Sequence, residues 1–134
     1  MNIYLDIDGV LLANDKQMAI GAEELLLYLL DNHELYWLTT HVKGDTDWVK
    51  RYLSDYFPPT ILARLDEIRV TNWDTAKSEG IDFSQPFLWL DDDCYPDERA
   101  ELEQRGVLEN WVEIDLAKDP EQLNKVIDSI QARA

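Results

Sequence analysis

Two aspartates one residue apart, Asp6 and Asp8, close a short apolar run and stand directly before Gly9. A second acidic group, Asp91-Asp92-Asp93, closes another apolar run, Phe87 to Leu90. Between them lie a hydroxyl pair, Thr39-Thr40, at the end of a third apolar run, and Lys77, in the segment leading to the second acidic group. Carboxylates gathered this closely repel one another unless a cation lies among them. A hard divalent ion with oxygen ligands, Mg²⁺, meets that requirement and also recruits a phosphate. The chemistry expected of such a set is therefore metal-assisted work on a phosphoryl group.

For these residues to meet, the fold must deliver them to one edge. Asn2 to Ile7 reads as a buried strand entering a turn at Asp8-Gly9. Ile20, Leu25, Leu26, Leu29 and Leu30 predict an amphipathic helix over 19–31. Glu34-Leu-Tyr-Trp-Leu predicts a second strand. Gly44-Asp-Thr-Asp opens a helix carrying Trp48, Val49, Tyr52 and Leu53, stopped by Pro58-Pro59. A helical turn over 59–65 and a third strand over 67–71 follow, then a short helix over 74–80 closed by Gly80. The fourth strand ends on Asp91. A helix over 97–105 stops at Gly106, and a fifth strand spans 111–115. A last helix starts near Asp119-Pro120 and uses Leu123, Val126, Ile127 and Ile130.

Alternating strands and helices predict an α/β fold, a three-layer Rossmann-like arrangement with a mainly parallel five-stranded sheet, in one domain covering 1–134. Ligands of such sheets bind beyond the carboxyl ends of the strands, the edge to which Asp6, Asp8, Thr39, Thr40, Asp91 and Asp92 are assigned. Lys77 lies on the helix leading into the fourth strand.

The rest of the composition narrows the function. The 134 residues carry a formal net charge of −16. An acidic surface of this kind opposes tight nonspecific nucleic-acid binding and adhesion to anionic membranes. No apolar stretch is long enough to cross a bilayer, and the opening Met-Asn-Ile-Tyr-Leu-Asp lacks the regions of a signal peptide. With a single cysteine, Cys94, the expected compartment is the reducing cytoplasm.

Asp6-Ile-Asp8-Gly9-Val10-Leu11 resembles the first motif of the haloacid dehalogenase (HAD) superfamily in its phosphatase form. Trp37-Leu-Thr39-Thr40 is similar to the second motif, Lys77 to the third, and Leu88-Trp-Leu-Asp91-Asp92 to the fourth in its Asp-Asp version. The motifs run in the family's order and span most of the chain. The resemblance implies a Mg²⁺-dependent phosphatase with Asp6 as nucleophile and metal ligand. Asp8 would be general acid, then base, with its carbonyl on the ion. Thr39 would be the catalytic hydroxyl that bonds a phosphoryl oxygen, with Thr40 as the alternative, Lys77 would pair with the phosphoryl group and the nucleophile, and Asp91 and Asp92 would hold Mg²⁺. The intervals between motifs leave no room for a large cap, only a small flap over 10–18. Capless members of the family act on bulky phosphate esters, and small HAD domains associated with RNA repair share a Trp-Leu-Thr-Thr type of second motif. The implied substrate is a bulky phosphate ester or a polynucleotide end, the latter needing a protein partner to supply basic surface.

Plainer readings apply to other residues. His41 reads as a loop histidine, His33 as a helix-end residue favoured by the dipole, and Cys94 as an inert thiol. Asp93 reads as a turn or cap residue, the tryptophans as mainly core, and 97–103 as a solvated helix face. Two other functions compete with hydrolysis. A noncatalytic metal- or phosphate-binding regulatory domain of HAD-like type would suit the acidic charge and the missing cap. A phosphoacceptor receiver domain uses similar residues, but there the hydroxyl and lysine follow the acidic residues, whereas here they precede the second acidic cluster.

Overall fold

A computed structural model describes residues 1–40 and 47–133. The expectations for His41 and for Gly44 to Thr46 lie outside the described residues. Five parallel strands form one sheet in the order β3-β2-β1-β4-β5: β1 (Asn2–Leu5), β2 (Glu34–Trp37), β3 (Arg69–Val70), β4 (Phe87–Asp91) and β5 (Trp111–Glu113). The helices are α1 (Ala22–Asn32), α2 (Asp47–Leu53), α3 (Pro59–Arg64), α4 (Pro96–Gln104) and α5 (Gln122–Arg133), with short 3₁₀ turns at Leu65–Glu67, Lys77–Gly80 and Leu108–Asn110. The architecture is Rossmann-like.

Side-chain alternation along the central strands builds two cores. Ile3, Leu5, Leu35, Trp37, Leu88 and Leu90 face one side, with buried residues of α1, α2, α3 and α5. Tyr4, Phe87 and Trp89 face the other, where Leu102 of α4 and Ile81 cover them. The register sets Leu5 beside Trp37 on one flank and beside Leu90 on the other. The chain runs outward from β1 through β2 to β3, then returns across the sheet to lay β4 against the free side of β1. The sheet therefore reverses direction between β1 and β4, where the connections leave on opposite faces and open a crevice at the carboxyl ends.

Several elements differ from the sequence reading. The first helix starts at Ala22 behind Gly21, which holds φ +83°. Ile20 thus falls outside it and is exposed. The segment ahead of it instead forms a tight hairpin: Ala13 N–H donates to the Gln17 carbonyl and Ala19 N–H to the Leu11 carbonyl. Helix α2 ends at Leu53, before the prolines, and Pro59 opens α3 at its first position, where its missing N–H costs nothing. The third strand shrinks to two residues, with Thr71 Oγ1 donating to the Trp37 carbonyl at 2.7 Å to prolong the attachment. Residues 74–80 form no α-helix, only the 3₁₀ turn at Lys77–Gly80. The fifth strand stops at Glu113 and the last helix begins at Gln122. The Gln122 side chain bonds the Glu113 carbonyl and the Asp115 N–H, both at 2.7 Å, covering part of the outer sheet edge. Among the described residues, no helix is long and apolar enough to cross a membrane.

Candidate functional site

Asp6 follows β1 directly, and its N–H donates to the Leu90 carbonyl at 3.1 Å, so it stands level with Asp91 at the end of β4. Both carboxylates take the α4 side of the sheet, two residues beyond Tyr4 and Trp89 respectively. Asp92 follows Asp91, and one carboxylate oxygen from each of Asp6, Asp91 and Asp92 lies within 4.8 Å of the others. Lys77 reaches in from the 3₁₀ turn with its Nζ 2.7 Å from Asp91 Oδ2 and 3.3 Å from Asp6 Oδ2. These four residues, distant in sequence, line one cleft of about 220 Å³ with Asp8, Thr40, Asp93, Tyr95 and Glu98. Thr39 is fully buried, whereas Thr40 is exposed at the cleft wall.

Asp91 is the most constrained member. Its side chain is 1% exposed. The Trp89 indole donates to Oδ2 and the Asp93 N–H to Oδ1, each at 3.2 Å, and the Trp111 indole donates to its carbonyl oxygen at 3.2 Å. Trp89 thus holds the carboxylate and Trp111 the main chain of the same residue, as well as filling space. Burial, then the charge of Asp6, pushes the Asp91 carboxyl up to about 8, against the pull of Lys77. Burial pulls the Lys77 ammonium down, but Asp6 and Asp91 together outweigh it and the pKa is raised. The two directions have one cause. Two carboxylates share one ammonium, so the trio is a positive charge short and favours a proton or a cation.

The donor set fits Mg²⁺. An octahedral ion with oxygens at about 2.1 Å places neighbouring ligands about 3 Å apart and opposite ones about 4.2 Å apart, within the spread of these three oxygens. All three are hard carboxylate donors, with no sulfur or imidazole among them.

Asp8 has a different setting. Gly9, at φ +84°, turns the chain sharply, and a side chain there would also fall on the Asp92 carboxylate. The Asp8 carboxylate stays one-third exposed (32%) and receives Tyr52 Oη at 2.8 Å and Lys16 Nζ at 3.2 Å on the same oxygen. Lys16 occupies the hairpin tip in the left-handed region, at φ +62°.

Asp93, read as a turn or cap residue, and Tyr95 line the cleft without having been assigned to it, and three further residues that make hydrogen bonds at the site were not assigned to it from sequence. Lys16 and Tyr52 come to Asp8 through the hairpin and through α2, and no local pattern announces either contact. Glu98 lies within the segment read as a solvated face, yet it is 3% exposed. It accepts the Lys77 N–H at 2.6 Å and the Tyr95 N–H at 3.0 Å. A readable signal existed: Tyr95-Pro96-Asp97-Glu98 places proline at the first helical position and glutamate at the third, as in a capping box. Elsewhere, His33 caps α1, and its pKa is lowered by burial and by the N-terminal ammonium, which weakens its interaction with the helix dipole. Burial first, then Glu98, pushes the Cys94 thiol up to about 11, which makes it inert at neutral pH.

A larger hollow, about 770 Å³ between β5 and α5, lies away from these carboxylates. Its charges are of mixed sign, and Lys125 is already paired with Asp119 at 2.6 Å. It brings no convergent set of reactive groups together. Comparison of the chain with protein-family models, with curated proteins and with solved structures gives no match.

Proposed function

We propose that the chain is a Mg²⁺-dependent phosphomonoesterase of the HAD superfamily, in the capless phosphatase form, working through an aspartyl phosphate on Asp6. The observation that carries this reading is the meeting of Asp6, Asp91, Asp92 and Lys77 in one cleft at the sheet reversal. Asp6, Asp91 and Asp92 would hold the ion through their carboxylates, with the Asp8 carbonyl as a further ligand. The bound ion would supply neutralisation of phosphoryl charge.

In the first half of the reaction an Asp6 carboxylate oxygen attacks phosphorus and the bond to the leaving oxygen breaks. Asp8 gives that oxygen its proton. In the second half Asp8 takes a proton from water, whose oxygen attacks phosphorus, and the bond to Asp6 breaks. Inorganic phosphate leaves and the Asp6 carboxylate is restored. Lys77, already between Asp6 and Asp91, offers positive charge to the phosphoryl oxygens where electrostatic stabilisation counts most. Thr40, at the cleft wall, is better placed than the buried Thr39 to donate a hydrogen bond to the substrate.

The short hairpin after β1 supports a site without a large cap, and hence a bulky phosphate ester as substrate. A polynucleotide end fits the same opening, with a basic partner offsetting the charge of −16. The single cysteine, buried, suits the cytoplasm.

Asp6→Asn removes the nucleophile with little change in shape. Mg²⁺-dependent hydrolysis of p-nitrophenyl phosphate should fall by about 10³-fold or more, with the circular dichroism spectrum unchanged. Parental turnover in that variant would exclude Asp6 as nucleophile.

A further inference from the structure

We propose that Glu98 is a positioning residue for the reaction, setting the place of Lys77 in the cleft. The inference rests on the phosphatase reading and goes beyond it, because Glu98 belongs to none of the four motifs.

Lys77 enters from a 3₁₀ turn of four residues. So short a turn has little internal hydrogen bonding to fix its orientation. Glu98 supplies what the turn lacks. One carboxylate oxygen takes the Lys77 N–H at 2.6 Å and the other takes the Tyr95 N–H at 3.0 Å. Tyr95 caps α4, whose first turn follows the loop bearing Asp91, Asp92 and Asp93. A single carboxylate therefore ties the backbone that carries the ammonium to the backbone that carries the acidic group. The separation of Lys77 Nζ from Asp91, 2.7 Å, is set by this brace as well as by the ion pair itself.

Charge makes the choice of residue informative. A buried carboxylate beside Asp6, Asp91 and Asp92 adds negative charge where it already accumulates, which costs free energy. Glutamine would avoid that cost, but its side chain offers one acceptor oxygen where two N–H groups need acceptors. Glu79, at the third position of the turn, braces the chain that enters it by accepting the Asp74 and Ala76 N–H groups at 3.2 and 2.9 Å. Two carboxylates thus hold the main chain that leads into Lys77, and Glu98 is the one that ties it to α4.

The test compares the parent protein, Glu98→Gln, Lys77→Met and the double variant in Mg²⁺-dependent hydrolysis of p-nitrophenyl phosphate. Glu98→Gln should lower kcat about 10- to 100-fold, the usual range for residues that orient a reacting group, with KM within about twofold. In the Lys77→Met background the same change should have no further effect, since there is no ammonium left to place. A full additional loss there would mean that Glu98 acts on the fold at large and would overturn the proposal. An unchanged kcat in Glu98→Gln would overturn it while leaving the phosphatase reading intact. No turnover by the parent protein would overturn both. If Glu98→Gln does not fold, amide hydrogen exchange of the parent decides: a protected Lys77 N–H supports the brace, and exchange at the rate of an open peptide overturns it.

Discussion

Asp6 and Asp8 are separated by one residue, yet their surroundings are opposite in character. Asp6 is buried, braced by the Ile7 N–H at 2.8 Å, and faces groups set by strand ends and a pinned turn. Asp8 is held by a tyrosine on α2 and by a lysine at the tip of a hairpin, and that lysine is 59% exposed. The sheet register fixes the first half of the site, and side chains that can swing away fix the second. Such a division suits phosphoryl transfer. The transferred group is the same for every substrate and gains from a preformed electrostatic cradle. The leaving group differs between substrates and must be admitted past the residue that protonates it.

Asp8, the proposed proton donor, can be removed alone. Asp8→Asn should lower turnover of an alkyl phosphate about 10²- to 10⁴-fold, the range for general acid–base catalysis. The loss on p-nitrophenyl phosphate should be smaller in the first chemical step, because nitrophenolate departs without help. Rapid-mixing kinetics on the two esters would separate them. Mg²⁺ affinity, read by calorimetry, should stay within about twofold, since the Asp8 side chain lies outside the carboxylate trio. Equal first-step losses on both esters would show that the two aspartates do not divide the work in this way.

A second test addresses the rigid half through pH. Burial and Asp6 raise the Asp91 carboxyl from its ordinary value of 3.8 to about 8, so the folded protein binds this proton more tightly than the unfolded chain. The stability contributed by that protonation is fully present below about pH 4 and is lost as pH rises through about 8. Lys77, also raised, is charged in both states across this window and changes nothing there. The metal-free protein should therefore lose about 5 °C or more of Tm between about pH 5 and pH 8.5. Mg²⁺ should restore most of it by taking the place of the proton. Asp91→Asn should flatten the profile, and a profile as steep as the parent's in that variant would assign the effect to another group.

The two halves of the site were also unequally legible. Asp6, Asp91, Asp92 and the Thr39-Thr40 pair could be assigned to one edge because each follows an apolar run, and a parallel sheet gathers the ends of such runs at one place. Which hydroxyl faces the cleft was not legible, and it is Thr40 rather than the expected Thr39 that lines it. Lys77 could be expected there from the segment it occupies ahead of the fourth strand and from its motif, although the turn that carries it reads as a helix. Lys16 and Tyr52 left no trace, because their approach depends on how a hairpin folds back and on how α2 packs. Glu98 was hidden by its neighbours: α4 buries only Glu98 and Leu102, and a segment this polar carries no periodic apolar signal. The same limitation explains the misplaced boundaries. Ile20 fits the period of α1, but Gly21 in the left-handed region ends the regular geometry first. In the third strand, Ile68 and Thr71 extend the apolar and β-branched pattern beyond the two residues that pair.

The smallest predicted effect probes the adjustable half directly. Tyr52 and Lys16 both donate to Oδ1 of Asp8, but Tyr52 is half-buried and stacked on Trp48 with ring centroids 4.7 Å apart. Lys16 is mostly exposed, and an ion pair held in solvent is worth little, at most about a fivefold change in rate. Lys16→Ala should accordingly alter kcat/KM on an alkyl phosphate, whose leaving group needs the proton, by no more than about fivefold, and the change should shrink as salt screens the pair. Tyr52→Phe removes a better-sheltered hydrogen bond to a charged group, worth about 1.5–3 kcal/mol, and should cost about tenfold or more with weak salt dependence. If Lys16→Ala proved the more damaging of the two, the hairpin tip would be a fixed part of the acid's setting, and the contrast between the two aspartates would narrow to their burial alone.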